Sequence, residues 1–197
     1  MKQHRTMGTA LTIAALAVSL AGCTGQEGTS QSPSNSPVTR QVSGYPYTLS
    51  VEDAMDQSVI AVEGTVSQVG EPTWNTADRK KPSEPEQSDT LPAMIYTPFR
   101  VKVDKSYKGD VGSHLDVKAF GGTVDDDRFV FTDFDYTPRA GDRVVVLVQQ
   151  VFAEKNGDKL AIPRSLYTVN GTQLTNQFGG DVNTISISEV ARASKAK

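Results

Sequence analysis

The chain of 197 residues is poor in the side chains that build reactive centres, with one cysteine, Cys23, two histidines, His4 and His114, and one tryptophan, Trp74. A lone cysteine excludes a disulfide framework within the chain and any cage of several thiolates. Zinc needs three or four ligands. With His114 the single histidine beyond the first residues, only carboxylates could complete such a site, and none stands at a ligand spacing. Ser113 precedes His114, but neighbours on a strand point to opposite faces, so the two are not expected to pair as nucleophile and base. No G-x-S-x-G elbow raises another serine. Positive charge is also lacking, since the net charge is -3. Nucleic acid, which demands a basic footprint, is excluded as a partner. Long apolar runs are absent too: the uncharged stretch Met7 to Leu20 falls short of the roughly 17–25 residues of a membrane-spanning helix.

The flanks of that stretch are the most informative part of the chain. Lys2, His4 and Arg5 precede it, and Leu20-Ala21-Gly22-Cys23 closes it, the three-part order of a secretory leader. Small residues before a single cysteine form a lipobox. The thiolate takes a diacylglyceryl group and the slim side chains admit a peptidase just before it. The pattern predicts a leader over 1–22, a lipidated Cys23, and a place on the outer face of a bacterial cell membrane. Loss of Lys2 and Arg5, with no acids, would take the charge from -3 to -5. Thr24 to Gly44 is rich in Ser, Gly, Gln, Thr and Pro, with Val38 and Val42 its sizeable apolar residues. Segment 23–44 therefore reads as the lipidated cysteine and a disordered tether, with ends roughly 25 Å apart. Residues 45–197 remain for one folded domain, of about 150 residues.

Ser50 caps a predicted short helix with Glu52 and Asp53 in its first turn. Apolar residues then recur every second position: Ile60, Val62 and Val66; Phe99, Val101, Val103 and Tyr107; Leu115, Val117 and Ala119; Phe129 and Phe131. Each set reads as a half-buried strand. Val144 to Val148 is apolar on both faces, as a central covered strand would be. Asn156-Gly157 marks a hairpin turn, and Ser186 with Glu189 brackets a capping box before a last helix.

The succession Val-Glu-Gly-Thr-Val, Val-Asp-Lys-Ser-Tyr-Lys-Gly-Asp, Val-Lys-Ala-Phe-Gly-Gly and Ala-Gly-Asp-Arg-Val-Val-Val-Leu-Val resembles the small OB-like β-barrels of bacterial surface lipoproteins, a netrin-like architecture. The resemblance spans roughly Val59 to Leu174 and lies in strand and turn pattern, without a chemical motif. It implies an all-β (β-rich α+β) domain, a five- to six-stranded antiparallel OB-like barrel flanked by short helices. The related metalloproteinase inhibitors ligate zinc through a free N-terminal cysteine joined to the barrel. An acylated Cys23 at the end of a tether does not carry that mode over.

Two loops have unusual content. Gly70 to Ala93 holds four prolines and Trp74, and reads either as a recognition loop with Trp74 as aromatic anchor or as an insertion whose Trp74 folds back on the barrel. Its Arg79-Lys80-Lys81 reads as a solvated charge run. Asp125, Asp126, Asp127, Asp133 and Asp135 surround Phe129, Phe131, Phe134 and Tyr136. The acids suggest loop decoration rather than a calcium site, because EF-hand spacing is missing. Trp74, Asp125, Asp126, Asp127 and Tyr136 are the candidate partner-binding residues, with no metal or cofactor expected. The leading expectation is a membrane-anchored, non-catalytic binding module for an envelope protein or peptide. A hydrolase using paired carboxylates and an accessory structural lipoprotein are the alternatives.

Overall fold

The core is built around the Val144–Val148 run, whose alternate residues enter two different clusters. Val144, Val146 and Val148 belong to one, and Val145 and Leu147 to the other. All five are fully buried, as the two-faced apolar pattern predicts. The computed structural model describes residues 39–42, 49–82, 93–134, 136–153, 159–178 and 184–196. The leader, Cys23 and the tether up to Val38 lie outside the described residues, as do Asp135, the Asn156-Gly157 turn and part of the 70–93 loop.

The elements run β1 (Thr39–Val42), α1 (Val51–Gln57), β2 (Ile60–Val69), β3 (Thr73–Trp74), β4 (Ile95–Lys108), β5 (His114–Phe120), β6 (Gly122–Val124), β7 (Asp127–Phe131), β8 (Arg143–Ala153), β9 (Lys159–Asn170), β10 (Gln173–Asn176), β11 (Thr184–Ser186) and α2 (Ile187–Ala193). Eight strands form one antiparallel sheet, in the order β11-β10-β9-β8-β2-β4-β3 with β5 on the other edge of β4. β6 and β7 form a hairpin with β1 on its edge. The domain is thus mostly β with two short helices. The expected five- to six-stranded OB-like barrel is corrected in strand number, since eleven strands occur among the described residues, and in closure. The sheet curls enough for β5 to pack against β9, but among the described residues no ladder joins them, and without that ladder the barrel stays open.

Both helices cover one face. Val51, Ala54 and Met55 of α1, with Val190 and Ala193 of α2, pack on Ala61, Val145, Leu147, Tyr167 and Leu174. Their ends are satisfied as the sequence predicts. Asp53 N donates to Ser50 Oγ at 3.1 Å, and Ser186 N donates to Glu189 Oε2 at 2.7 Å while Glu189 N donates to Ser186 Oγ at 3.3 Å. At the far end of α1, Lys108 Nζ donates to the carbonyls of Met55 and Asp56 at 2.8 and 3.1 Å, a cation on orphaned acceptors. The opposite face carries the larger cluster, rich in rings and closed by β5, β7 and Trp74.

Register shifts in the β2–β4 ladder correct one detail of the alternation. Val101 and Val103 face the ring-rich side, whereas Tyr107 lies on the helix side, because each bulge moves the following residues to the other face. There Tyr107 Oη donates to Glu63 Oε2 at 2.8 Å and Arg143 Nη2 donates to Oε1 at 2.7 Å. Burial, followed by the bond to Glu63, raises the Tyr107 phenol above its ordinary range.

Candidate functional site

β5 ends at Phe120, and Gly121 and Gly122 follow it with φ of 99° and 144°, conformations open to glycine at little cost. Their reversal starts β6, and Asp125-Asp126 makes the two-residue turn into β7. Asp125, at φ 51°, sits in the left-handed region that aspartate tolerates better than most residues. On β7, Phe129 and Phe131 are buried while Arg128 is exposed, the alternation of a strand with one covered face. Phe120 stacks on Phe131 at 4.9 Å between centroids, Phe134 lies 4.5 Å from Phe178, and Tyr136 sits edge-on to Phe134 and Phe99 at 6.2 and 6.1 Å. Such ring pairs each add about 0.5–1.5 kcal/mol beyond burial.

Among these rings lies a half-open cavity of 310 Å³, lined by Thr97, Phe120, Gly122, Arg128, Phe131 and Tyr136 with neighbouring residues. The size, and a lining in which rings alternate with hydroxyl, backbone and guanidinium groups, suit a small ligand or a single large side chain. Thr97 Oγ1 donates to the Gly121 carbonyl at 2.9 Å, and Tyr136 Oη donates to Asp142 Oδ2 at 3.0 Å. Burial first, and then the Asp142 carboxylate, raises the Tyr136 phenol. The bond to Asp142 holds the Tyr136 ring in the wall of the cavity.

The candidate residues separate clearly. Asp125 and Asp126 are exposed at the hairpin tip, Tyr136 is buried in the cavity wall, and Trp74 is 5% exposed on β3, packing the core rather than offering its ring to solvent. Asp127 is buried and binds Lys81 Nζ at 2.9 Å. Lys81, read from sequence as part of a solvated charge run, thus ties the 70–93 loop to the hairpin. The loop is also less irregular than its composition implies, because β3 prolongs β2 along β4 and Asn75 N donates to the Met94 carbonyl at 3.0 Å.

Ser113 and His114 do touch, with Oγ 2.8 Å from Nδ1. The expectation of opposed side chains fails because Ser113 lies in the turn before β5 and not on the strand. The pair is exposed, and Asp116, two residues on, accepts from Arg100 through both oxygens at 2.6 and 3.0 Å. Asp116 is thus engaged by Arg100, whereas a triad needs a carboxylate bonded to the ring. Among the described residues, no three His, Cys, Asp or Glu side chains gather as metal ligands.

The Arg100–Asp116 pair lines a second, shallower depression of 210 Å³ on β4 and β5. The Arg100 hydrogen bonds hold the Asp116 carboxyl below its ordinary value. Its contribution to stability is therefore present above the unfolded carboxyl pKa and fades as pH falls through the lowered one. With 64% of the Asp116 side chain exposed, that contribution is small. The pair yields a spectroscopic prediction: Arg100→Gln should move the Asp116 carboxyl titration upward, as followed by carbon NMR, while leaving the thermal midpoint nearly unchanged.

Compared with family models, curated proteins and solved structures, the chain matches none.

Proposed function

We propose that the protein is a lipid-anchored lipoprotein of the bacterial cell envelope whose β domain is a non-catalytic binding module. The observation that carries the binding reading is the ring-lined cavity beside the exposed β6–β7 tip. A pocket of mixed lining, with Phe120, Phe131 and Tyr136 beside Arg128, Thr97 and Thr123, accepts an aromatic or branched group that also carries polar atoms, as a protein or peptide partner supplies. The exposed Asp125 and Asp126 next to it favour a partner with basic residues flanking that group. The anchor reading is supported by Leu20-Ala21-Gly22-Cys23 behind its apolar leader. A carboxylate hydrolase would need two acids facing each other across a cleft; the exposure of Asp125 and Asp126 and the bond from Lys81 to Asp127 favour the binding reading over it.

A photocrosslinking amino acid at Thr123, on the cavity rim, should give a discrete adduct in intact envelopes. The same group at Lys195, an exposed residue after α2, should give none. Equal labelling from both positions, or none from either, would contradict a binding face at this end of the domain.

A further inference from the structure

Residues Thr39–Val42, which composition assigns to the tether, form β1, and β1 lies parallel to β7 with Thr39 opposite Arg128 and Val42 opposite Phe131. Nothing local in Thr-Arg-Gln-Val demands a strand. The cause is the hairpin, since β6 occupies one edge of β7 and the other edge offers unpaired N–H and C=O groups. Thr132 N donates to the Val42 carbonyl at 3.0 Å. Val42 packs on the ring-rich cluster, while Thr39, Arg40 and Gln41 stay exposed. The contact is thus four residues long and held largely through backbone.

From this geometry we propose that the outer edge of β7 is a strand-receiving site whose exchange partner is the Thr39–Val42 segment of a second copy of this chain. Every interaction that β1 makes within its own chain is available unchanged to the same segment of another copy. The choice between the two turns on concentration and on what the connection after Val42 costs in each arrangement. A short connection gives the intrachain segment an effective concentration on the order of millimolar, so the dilute protein keeps its own strand. Copies crowded on one surface reach the regime in which reciprocal exchange, the low-cost route to a symmetric dimer, competes. Only that crowding rests on the anchored reading.

Gln41 and Val130 are direct partners in the ladder, roughly 4.8 Å apart as neighbouring strands are, within disulfide range. The test uses one tagged copy with Gln41→Cys and a differently tagged copy with Val130→Cys, mixed on vesicles over a range of surface densities under a mild copper oxidant. A mixed-tag disulfide dimer that rises with density is expected, along with a closed monomer when both cysteines are placed in one chain. The same mixture of soluble Cys23→Ser chains should exchange at millimolar and not at micromolar concentration, which separates failure of the exchange from failure of the anchor. A doubly substituted chain that closes while no mixed dimer forms under either condition overturns the proposal. So does equal dimer formation from Gln41→Cys mixed with Lys195→Cys, and so does a doubly substituted chain that fails to close.

Discussion

Gly64→Ala should cost about 4 kcal/mol or more of folding free energy, enough to leave a domain of ordinary stability largely unfolded on mild heating. Gly64 lies in β2, buried where β4 crosses, at a register shift in the ladder. A methyl group there would overlap the Lys102 carbonyl oxygen and stand 2.6 Å from Val101 Cγ1. The obstacle is backbone, which a rotamer change cannot move. Either β2 and β4 separate or the bulge migrates, and both disturb a central ladder of the sheet. Gly112→Ala is the informative comparison. Gly112 has φ 67° with nothing near its would-be Cβ, so its cost should be the left-handed penalty alone, roughly 1–2 kcal/mol. Urea midpoints of the two variants should differ in that order. Equal loss from both would mean that the β2–β4 approach is looser than the structure shows.

Where structure depends on neighbours in sequence, the chain was legible. The Ser50 and Ser186 caps need only residues three positions apart, and the two-faced burial of Val144 to Val148 comes from an uninterrupted apolar run. The inward set Phe129 and Phe131 reflects simple alternation. The features that escaped depend on residues far apart. Lys81 and Asp127 are separated by 46 positions, and the polar sequence of β1 gives no hint of the β7 edge that makes it a strand. Tyr107 changes face because bulges, which leave no local signature here, interrupt its period of two. Barrel closure depends on whether β5 and β9 share hydrogen bonds, and strand patterns in each are the same either way. The cavity could be anticipated only in part, since Phe131 and Tyr136 signal an apolar patch but Thr97 reaches it from another strand.

Cys23→Ser should shift the protein from the membrane fraction to the soluble fraction, or leave it as an unprocessed precursor. Cys23 is the single cysteine of the chain, so no other thiol can accept the diacylglyceryl group. A single acyl chain gives marginal attachment, whereas two hold stably, and the change is therefore close to all-or-none. The folded domain should be indifferent to the substitution, because β1 starts sixteen residues later, at Thr39. An unchanged thermal midpoint together with lost membrane retention would assign the effect to anchoring alone. Full retention of the serine variant in the membrane fraction would point to attachment by some other route.

The most direct test of the anchored reading is the mass of the N-terminal peptide of the mature protein. Trypsin finds no Lys or Arg between Cys23 and Arg40, so membrane-fraction protein should yield one peptide from Cys23 to Arg40. That peptide should carry diacylglycerol in thioether linkage on Cys23. A peptide that begins upstream of Cys23, or one with Cys23 bearing a free thiol, would contradict it.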